Sequence, residues 1–179
     1  MAIPPNSGAR RIVLIGMRAA GKTTLGRALA GRLSRPFVDI DELIGELAGR
    51  PADEVLARDG EPAFRALEER ALRIAARGTD TVVATGGGAV LHREAFASLA
   101  DGALVAWLDA PASVLAERAA QRPRPPLTDR PLPEETALLL ASRAPLYREV
   151  ADIIVPVGLP DAPDPILALL GALQEEPAP

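Results

Sequence analysis

Short apolar runs alternate along the chain with segments in which apolar residues recur every three or four positions. The runs are typical of central strands in a parallel sheet, and they predict strands at 11–15, 36–40, 81–85, 103–108 and 152–157. The periodic segments predict helices at 23–33, 41–48, 51–58, 62–77, 93–100, 111–121, 134–150 and 165–173. Because strand and helix alternate from end to end, the pattern predicts parallel crossovers and an α/β layered fold.

The chain length and the position of its proline-rich stretches predict one domain with a lid. A chain of 179 residues suits one ordinary domain and is short for two. We expect that domain over 10–174, with flexible tails at 1–9 and 175–179. The stretch 122–133 is rich in proline and arginine and separates two predicted helices. A loop of this length inside a compact domain favours a functional lid, with a stiff surface loop as the alternative.

Composition and charge exclude several classes of protein. The net charge of −4 disfavours a nucleic-acid partner, which usually meets an excess of positive charge. The absence of cysteine excludes disulfides and thiol nucleophiles, and the single histidine, His92, cannot build a multi-histidine metal site. We expect His92 on the surface at a helix start. No apolar run reaches membrane-spanning length and no secretory signal is visible, so we expect a cytoplasmic protein without a membrane partner. We also expect a monomer.

The only lysine stands where a compact charge matters most. Lys22 is the single lysine among 20 basic residues, and it lies in Gly16–Thr23, which fits the phosphate-loop (P-loop) pattern G-x-x-x-x-G-K-[ST]. A predicted strand precedes the pattern and a predicted helix follows it. Such a loop points backbone N–H groups at phosphate oxygens, and the helix N-terminus adds partial positive charge. We expect Lys22 to reach the β- and γ-phosphates of a nucleotide and Thr23 to hold Mg²⁺.

Acidic residues that could bind a metal or a substrate follow only one of the first three predicted strands. The third predicted strand ends without an acid, which leaves Asp39 and Asp41 after the second. We expect these two to face opposite ways and to take different roles, one toward the metal and one toward a substrate. Helix capping explains either residue equally well.

Two further patterns have both a structural and a functional interpretation. Arg65 and Glu68 share one helix face, and their spacing alone predicts a surface ion pair. Three consecutive glycines, Gly86–Gly88, end the third strand. They cost chain entropy and indicate that a ligand or another backbone comes close.

Six motifs occur here in the order of a known family. They are the P-loop at 16–24, Phe37-Val38-Asp39-x-Asp41, Phe64-Arg65-x-x-Glu68, Thr85–Gly88, Arg124-Pro125 and Arg143–Arg148. Over roughly 11–157 this ordered set resembles shikimate kinase. The resemblance implies a three-layer P-loop kinase fold of the nucleoside monophosphate kinase type, with a five-stranded parallel sheet flanked by helices and a lid over the site. It implies ATP-dependent phosphorylation of the 3-hydroxyl of shikimate, giving shikimate 3-phosphate and ADP, on the route to chorismate and aromatic amino acids.

The resemblance also implies roles for individual residues. ATP contacts are implied for Gly16, Ala19, Ala20, Gly21, Lys22, Thr23, Thr24, Arg118 and Arg124. Shikimate contacts are implied for Asp41, Arg65, Gly86, Gly87, Gly88 and Arg143, with the two arginines as a clamp on the carboxylate. Mg²⁺ is implied at Thr23 and Asp39. Catalytic roles are implied for Lys22, for Asp41 as acceptor of the hydroxyl proton, and for Arg124 as a cation on the transferred phosphoryl.

Three features depart from the family pattern. Ala19 replaces a glycine that is common at this position of the P-loop, and it should stiffen the turn slightly. Arg18 adds a second cation near the phosphates, and the residues leave its role open. Pro125-Pro126 stiffens the lid.

Three other functions compete with this interpretation. A related kinase could act on another hydroxylated acid such as gluconate, although the two clamp arginines and the glycine run favour shikimate. A guanine-nucleotide switch would need an Asn-Lys-x-Asp segment, whereas the only asparagine and lysine are Asn6 and Lys22. An inactive nucleotide-binding module is disfavoured because Lys22 occurs together with Asp41 and Arg124, and a binder needs no acid on the acceptor side.

Overall fold

The computed structural model describes residues 10–174, in which five strands form one parallel sheet. The strands are β1 (Ile12–Ile15), β2 (Phe37–Asp39), β3 (Val82–Ala84), β4 (Leu104–Asp109) and β5 (Ile153–Pro156). Their order is β2-β3-β1-β4-β5, and every neighbouring pair is parallel. All five predicted strands are present, and the α/β fold class is confirmed. The tails predicted at 1–9 and 175–179 lie outside the described residues.

Helices connect the strands. They are α1 (Lys22–Leu33), α2 (Ile40–Ala48), α3 (Ala52–Ala75), α4 (Arg93–Ala100), α5 (Ala112–Ala120), α6 (Leu132–Val150) and α7 (Pro165–Gln174), with one 3-10 turn at Ala89–Leu91. The helices predicted at 51–58 and 62–77 are the two halves of α3, which breaks at Gly60, where φ is +81°. The 3-10 turn has no counterpart in the sequence prediction.

Strand β1 lies at the centre of the sheet and of the core. Its four residues are completely buried. Val13 pairs with Val83 of β3 on one side and with Val105 of β4 on the other. Because all the strands run the same way, their carboxyl ends meet at one edge, and the loops that follow β1, β2 and β3 converge there.

The boundary of the predicted lid changes at its C-terminal end. Helix α6 begins at Leu132 rather than at Glu134, and Pro133 lies in its first turn. Proline is tolerated there because the N–H groups of the first turn have no partner within the helix. The segment without helix or strand between α5 and α6 is therefore 121–131, and we call it the lid segment. Within residues 10–174, no helix has the length and apolar character that crossing a bilayer requires.

Candidate active site

A cavity of about 1140 Å³ opens at the carboxyl edge of the sheet. It is bounded by the P-loop, the glycine run, the lid segment and the chain around 156–166. Eight cationic and six acidic side chains line it, an excess of positive charge in a chain whose net charge is −4. The cavity therefore has the electrostatic character of a site for anions.

The P-loop joins β1 to α1 and wraps around the side chain of its own lysine. Gly16 has φ +134°, and a Cβ there would lie 2.6 Å from the Leu108 carbonyl oxygen, so only glycine fits. Lys22 is buried, and its Nζ donates to the carbonyl oxygens of Gly16 and Met17, both at 2.8 Å. An ammonium group has three donors. Two of them therefore hold the loop closed, which leaves one for a ligand in the cavity.

Burial lowers the pKa of Lys22 from 10.5 to about 8, although the carboxylates of Asp41 and Asp39 act to raise it. The cations Arg124 and Arg143 add to the lowering. A lysine held in this way has lost much of its hydration without gaining a full counter-charge. An anion placed beside it would restore its protonated form.

Ala19 adopts a backbone conformation that favours glycine. Its φ is +65°, in the left-handed region, where an L-residue with a Cβ is strained by about 1–2 kcal/mol. The turn is thus stiffened, and it is also strained. Ala19, Ala20, Gly21 and Thr24 all line the cavity, as expected for nucleotide contacts.

Asp39 caps a helix and also contacts the P-loop. Its Oδ2 accepts a hydrogen bond from Thr23 Oγ1 at 2.7 Å, and its Oδ1 accepts one from the Asp41 backbone N–H at 2.9 Å, which caps α2. The carboxylate of Asp39 and the hydroxyl of Thr23 thus place two potential oxygen ligands side by side where the P-loop meets the end of β2. Hard oxygen ligands of this kind suit Mg²⁺, which keeps several waters and needs few protein groups.

Strand geometry does not decide how Asp39 and Asp41 are oriented. Residues two apart on a strand face the same way, so strand geometry alone would have put both carboxylates on one side. However, β2 ends at Asp39 and Asp41 already lies in the first turn of α2, so strand alternation does not apply to the pair, and both residues line the cavity. Burial raises the pKa of Asp41, although Arg124 acts to lower it.

Arg124 contacts acids rather than lying free in the lid segment. Its Nη1 donates to Asp41 Oδ2 at 2.7 Å, and its Nε lies 3.4 Å from Asp53 Oδ2 at the start of α3. Sequence reasoning predicted a nucleotide contact for Arg124 and gave Asp53 no role. The structure places the lid arginine directly on the acid predicted to serve the acceptor hydroxyl.

The pair of Arg65 and Glu68 forms, but the prediction that it lies on the surface is wrong. Their side chains are 18% and 1% exposed, and Arg65 Nη1 donates to Glu68 Oε2 at 2.6 Å. The glycine run makes this possible, because a Cβ at Gly88 would collide with the Arg65 guanidinium and one at Gly86 with the Glu68 carboxylate. The close approach predicted for these glycines is therefore to side chains of α3.

His92 caps the start of α4, as expected for a helix start, but it is not a surface residue. Its side chain is largely buried, and its Nε2 lies 3.0 Å from Glu68 Oε2. Burial acts to raise the pKa of Glu68, but the hydrogen bond with His92 and the charge of Arg65 outweigh it and hold that pKa below its usual value. Glu68 is thus a buried anion that fixes the position of Arg65.

Arg143 is a buried cation without an acidic partner. The residue is only 7% exposed, and within residues 10–174 no carboxylate oxygen lies within 4 Å of its guanidinium. A Cβ at Gly87 would lie 3.4 Å from Arg143 Nη1, so the glycine lets the arginine reach the cavity. Leaving a charge buried and unpaired is costly. This arginine is therefore suited to an anionic ligand.

Tyr147 holds the middle of the glycine run in place. Its hydroxyl donates to the Gly87 carbonyl oxygen at 2.5 Å, and its ring packs on Trp107 with centroids 5.7 Å apart. Burial raises the pKa of Tyr147 to about 12, so the hydroxyl stays a donor at neutral pH. Its position in the motif at 143–148 gave no sign of this role.

Arg118 lines the cavity next to the chain that follows β5. It belongs to the last turn of α5 and packs on Gly158, where a Cβ would lie 2.9 Å from its Nη2. It lines the cavity beside the chain around 156–166. Its neighbour Gly158 differs from those of Arg65 and Arg143, which contact the glycine run.

Comparison with known proteins decides the family. The family model for shikimate kinase matches residues 18–163. The chain is 42% identical to a shikimate kinase of Thermosynechococcus vestitus over 93% of this chain and 90% of that protein. It is 44% identical to a shikimate kinase of Oleidesulfovibrio alaskensis over 91% of this chain and 94% of that protein. This chain belongs to the shikimate kinase family.

Solved structures agree with that membership. A shikimate kinase from Acinetobacter baumannii in complex with shikimate superposes with a TM-score of 0.84 at 32% identity, covering 92% of this chain and 93% of that one. The family and the P-loop kinase fold predicted from the sequence are confirmed. A gluconokinase from Sinorhizobium meliloti, at 24% identity and a TM-score of 0.52, shares the fold.

Proposed function

We propose that the chain transfers the γ-phosphoryl group of ATP to the 3-hydroxyl of shikimate. The observation that carries this proposal is the buried guanidinium of Arg143 beside the glycine run, which has no acidic partner within residues 10–174. Its charge calls for a small anion bound deep in the cavity, and the carboxylate of shikimate has the required charge and shape. Family membership supplies the reaction.

The acceptor would lie between α3, α6 and the glycine run. Arg143 binds one side of its carboxylate and Arg65 the other. Arg65 donates through Nε and Nη2 to Glu61, at 3.1 and 2.9 Å, and Glu61 is half exposed. It can give up this partner while Glu68 still holds Nη1. The backbone of Gly86–Gly88 then lies against the ring.

Asp41 acts at the hydroxyl end of the acceptor. Its raised pKa brings the carboxylate closer to the range in which it can accept a proton. For Asp41 to reach the hydroxyl, Arg124 must leave it and turn toward the phosphates. We infer that Asp41 and Arg124 are paired in the state described and take separate partners during transfer.

The phosphates of ATP would lie in the P-loop, with Lys22 at the β- and γ-phosphates and Arg118 near the adenine. Thr23 and Asp39 would hold Mg²⁺, which neutralises phosphate charge when bound. A cytoplasmic location, a monomeric state and the absence of nucleic-acid and membrane partners stay predictions.

A coupled assay of ADP release tests the proposal. We expect turnover with shikimate, and little with gluconate or with no acceptor. Arg143→Ala should lose turnover, whereas Arg148→Ala should keep it, because Arg148 is an exposed arginine of the same helix that stacks on Trp107 outside the cavity. Equal rates with gluconate would contradict the substrate. ADP release that ignores the acceptor would indicate a nucleotide hydrolase instead.

A further inference from the structure

One carboxylate links the P-loop to the lid segment. Glu135, in the first turn of α6, accepts hydrogen bonds at Oε2 from the backbone N–H groups of Leu127 and Thr128, at 2.9 and 2.8 Å, and from Thr128 Oγ1 at 3.0 Å. Its Oε1 pairs with Nη2 of Arg18 in the P-loop. The two oxygens thus hold two segments that are more than 100 residues apart in the chain.

Because Glu135 is buried, its carboxylate depends on these partners. Its side chain is 1% exposed, and a buried carboxylate is stable only when its oxygens are bonded. Burial acts to raise the pKa of Glu135, but the hydrogen bonds from Thr128 and the charge of Arg18 outweigh it and keep the pKa below its usual value. The group is therefore ionised at neutral pH and bound on both sides.

Both partners of Glu135 lie close to groups that act on the phosphates. Leu127 is three residues after Arg124, so the distance between them is at most about 10 Å of chain. The backbone N of Arg18 packs on Gly87, and Arg18 lies four residues before Lys22. The position of Thr128 thus limits where Arg124 can go, and the position of Arg18 fixes the turn of the P-loop beside the glycine run.

We propose that Glu135 is a positioning residue for phosphoryl transfer, which uses Arg18 and Thr128 to hold the base of the lid segment against the P-loop so that Arg124 can reach the transferred group. This inference rests on the proposed kinase function. It also gives Arg18 a role: its charge serves Glu135, and it is not simply a second cation for the phosphates.

The test compares Glu135→Gln with Glu134→Gln. The matched control removes a carboxylate from the same turn, where Glu134 makes an exposed pair with Arg130 at 3.6 Å. We expect Glu135→Gln to lower kcat about tenfold or more, since a buried charge-assisted bond is lost, while the KM for shikimate stays within about twofold. Amide exchange of 122–131 should become faster, with the rest of the chain unchanged. Glu134→Gln should match the wild type in each measurement.

A double-mutant cycle with Arg18→Gln tests the link itself. If the two residues act together, the double variant should lose little more kcat than the worse single variant. Independent, additive losses would overturn the proposal. So would a Glu135→Gln protein with normal kcat, or one whose kcat, KM and global amide exchange all worsen together, which would indicate a structural role.

Thr128→Val provides a variant that keeps the buried charge pair. It removes the hydroxyl's hydrogen bond to Glu135 and the longer one, of 3.3 Å, that the hydroxyl accepts from the Arg130 backbone N–H within the lid segment. We therefore expect a smaller loss of kcat in the same direction, and an unchanged kcat would count against the link. If the wild type itself fails to turn over shikimate, the proposed function fails. Amide exchange in the lid segment, measured without substrates, then still decides whether Glu135 holds it.

Discussion

Raising the pH from 7 to 9 should weaken ATP binding and couple it to proton uptake at Lys22. The lysine is buried, its two loop hydrogen bonds are to neutral carbonyl oxygens, and its pKa is about 8. Phosphate oxygens beside the ammonium would favour the charged form and return the pKa toward its ordinary value of 10.5. Binding in this pH range must therefore draw a proton from solution.

The size of the effect follows from the two pKa values. The free protein would hold about half of its Lys22 protons at pH 8 and about a tenth at pH 9, so uptake should be about 0.1 proton per ATP at pH 7, about 0.5 at pH 8 and about 0.9 at pH 9. The apparent affinity for ATP should fall about tenfold between pH 7 and pH 9 through this residue alone.

The lowered pKa of Lys22 also determines how the free energy of unfolding changes with pH. Between pH 8 and 10.5 the unfolded chain holds the Lys22 proton and the folded chain does not, so the free energy of unfolding rises with pH through that window. Below pH 8 the full cost of burying the charge is present, on the order of 3 kcal/mol. Lys22 is thus a destabilising residue at neutral pH, as expected for a group placed for ligand binding.

Isothermal titration calorimetry of Mg-ATP in buffers of different ionisation enthalpy, at pH 7, 8 and 9, measures the uptake directly. The control is Lys22→Arg, because a guanidinium stays protonated throughout. This variant should show no pH-dependent uptake and should also lose turnover by roughly a thousandfold, since the broader group does not fit the loop. Uptake below about 0.2 proton at pH 9, or equal uptake in the variant, would refute the reasoning.

Three further predictions concern the acceptor side and the lid segment. Arg65→Ala and Arg143→Ala should each weaken shikimate binding by about 1.5–3 kcal/mol in calorimetry and leave ATP binding nearly intact; equal losses for both ligands would mean that the arginines maintain the fold. Asp41→Asn should bind ATP normally in the same assay while kcat falls by about 10²–10⁴, and an unchanged kcat would exclude it as the proton acceptor. Arg124→Ala should lower kcat with little change in the KM for shikimate. It should also reduce the extra amide protection that ATP plus shikimate gives to 122–131; equal protection with and without ligands in the wild type would show that the loop is fixed.

Local signals predicted most of the fold. The apolar runs located all five strands, and the P-loop pattern located the turn around Lys22, because strand burial and phosphate-loop geometry are set by residues adjacent in the chain. The helix boundaries differ where a proline interrupts the pattern. Pro133 lies within the first turn of α6 rather than before it, whereas the two helices predicted before and after Gly60 are present as the two halves of α3, which the non-helical backbone of Gly60 separates.

Long-range packing determined what the sequence did not reveal. The spacing of Arg65 and Glu68 gave their contact but not their burial, which depends on Gly86, Gly88 and His92, more than 15 residues away. No local pattern marks Glu135, since its partners lie in the P-loop and in the lid segment.

The balance of charge between the cavity and the whole molecule shapes the encounter with substrates. ATP and shikimate are anions, and they approach a chain with a net charge of −4 whose cation excess lies inside the cavity. At low ionic strength the Debye length reaches about 30 Å, and the body of the protein repels them before the cavity can attract them. At about 8 Å, near physiological salt, the repulsion is screened and the attraction at the cavity mouth remains. The association rate should therefore pass through a maximum as salt is added, and the enzyme would capture its substrates fastest at an intermediate ionic strength.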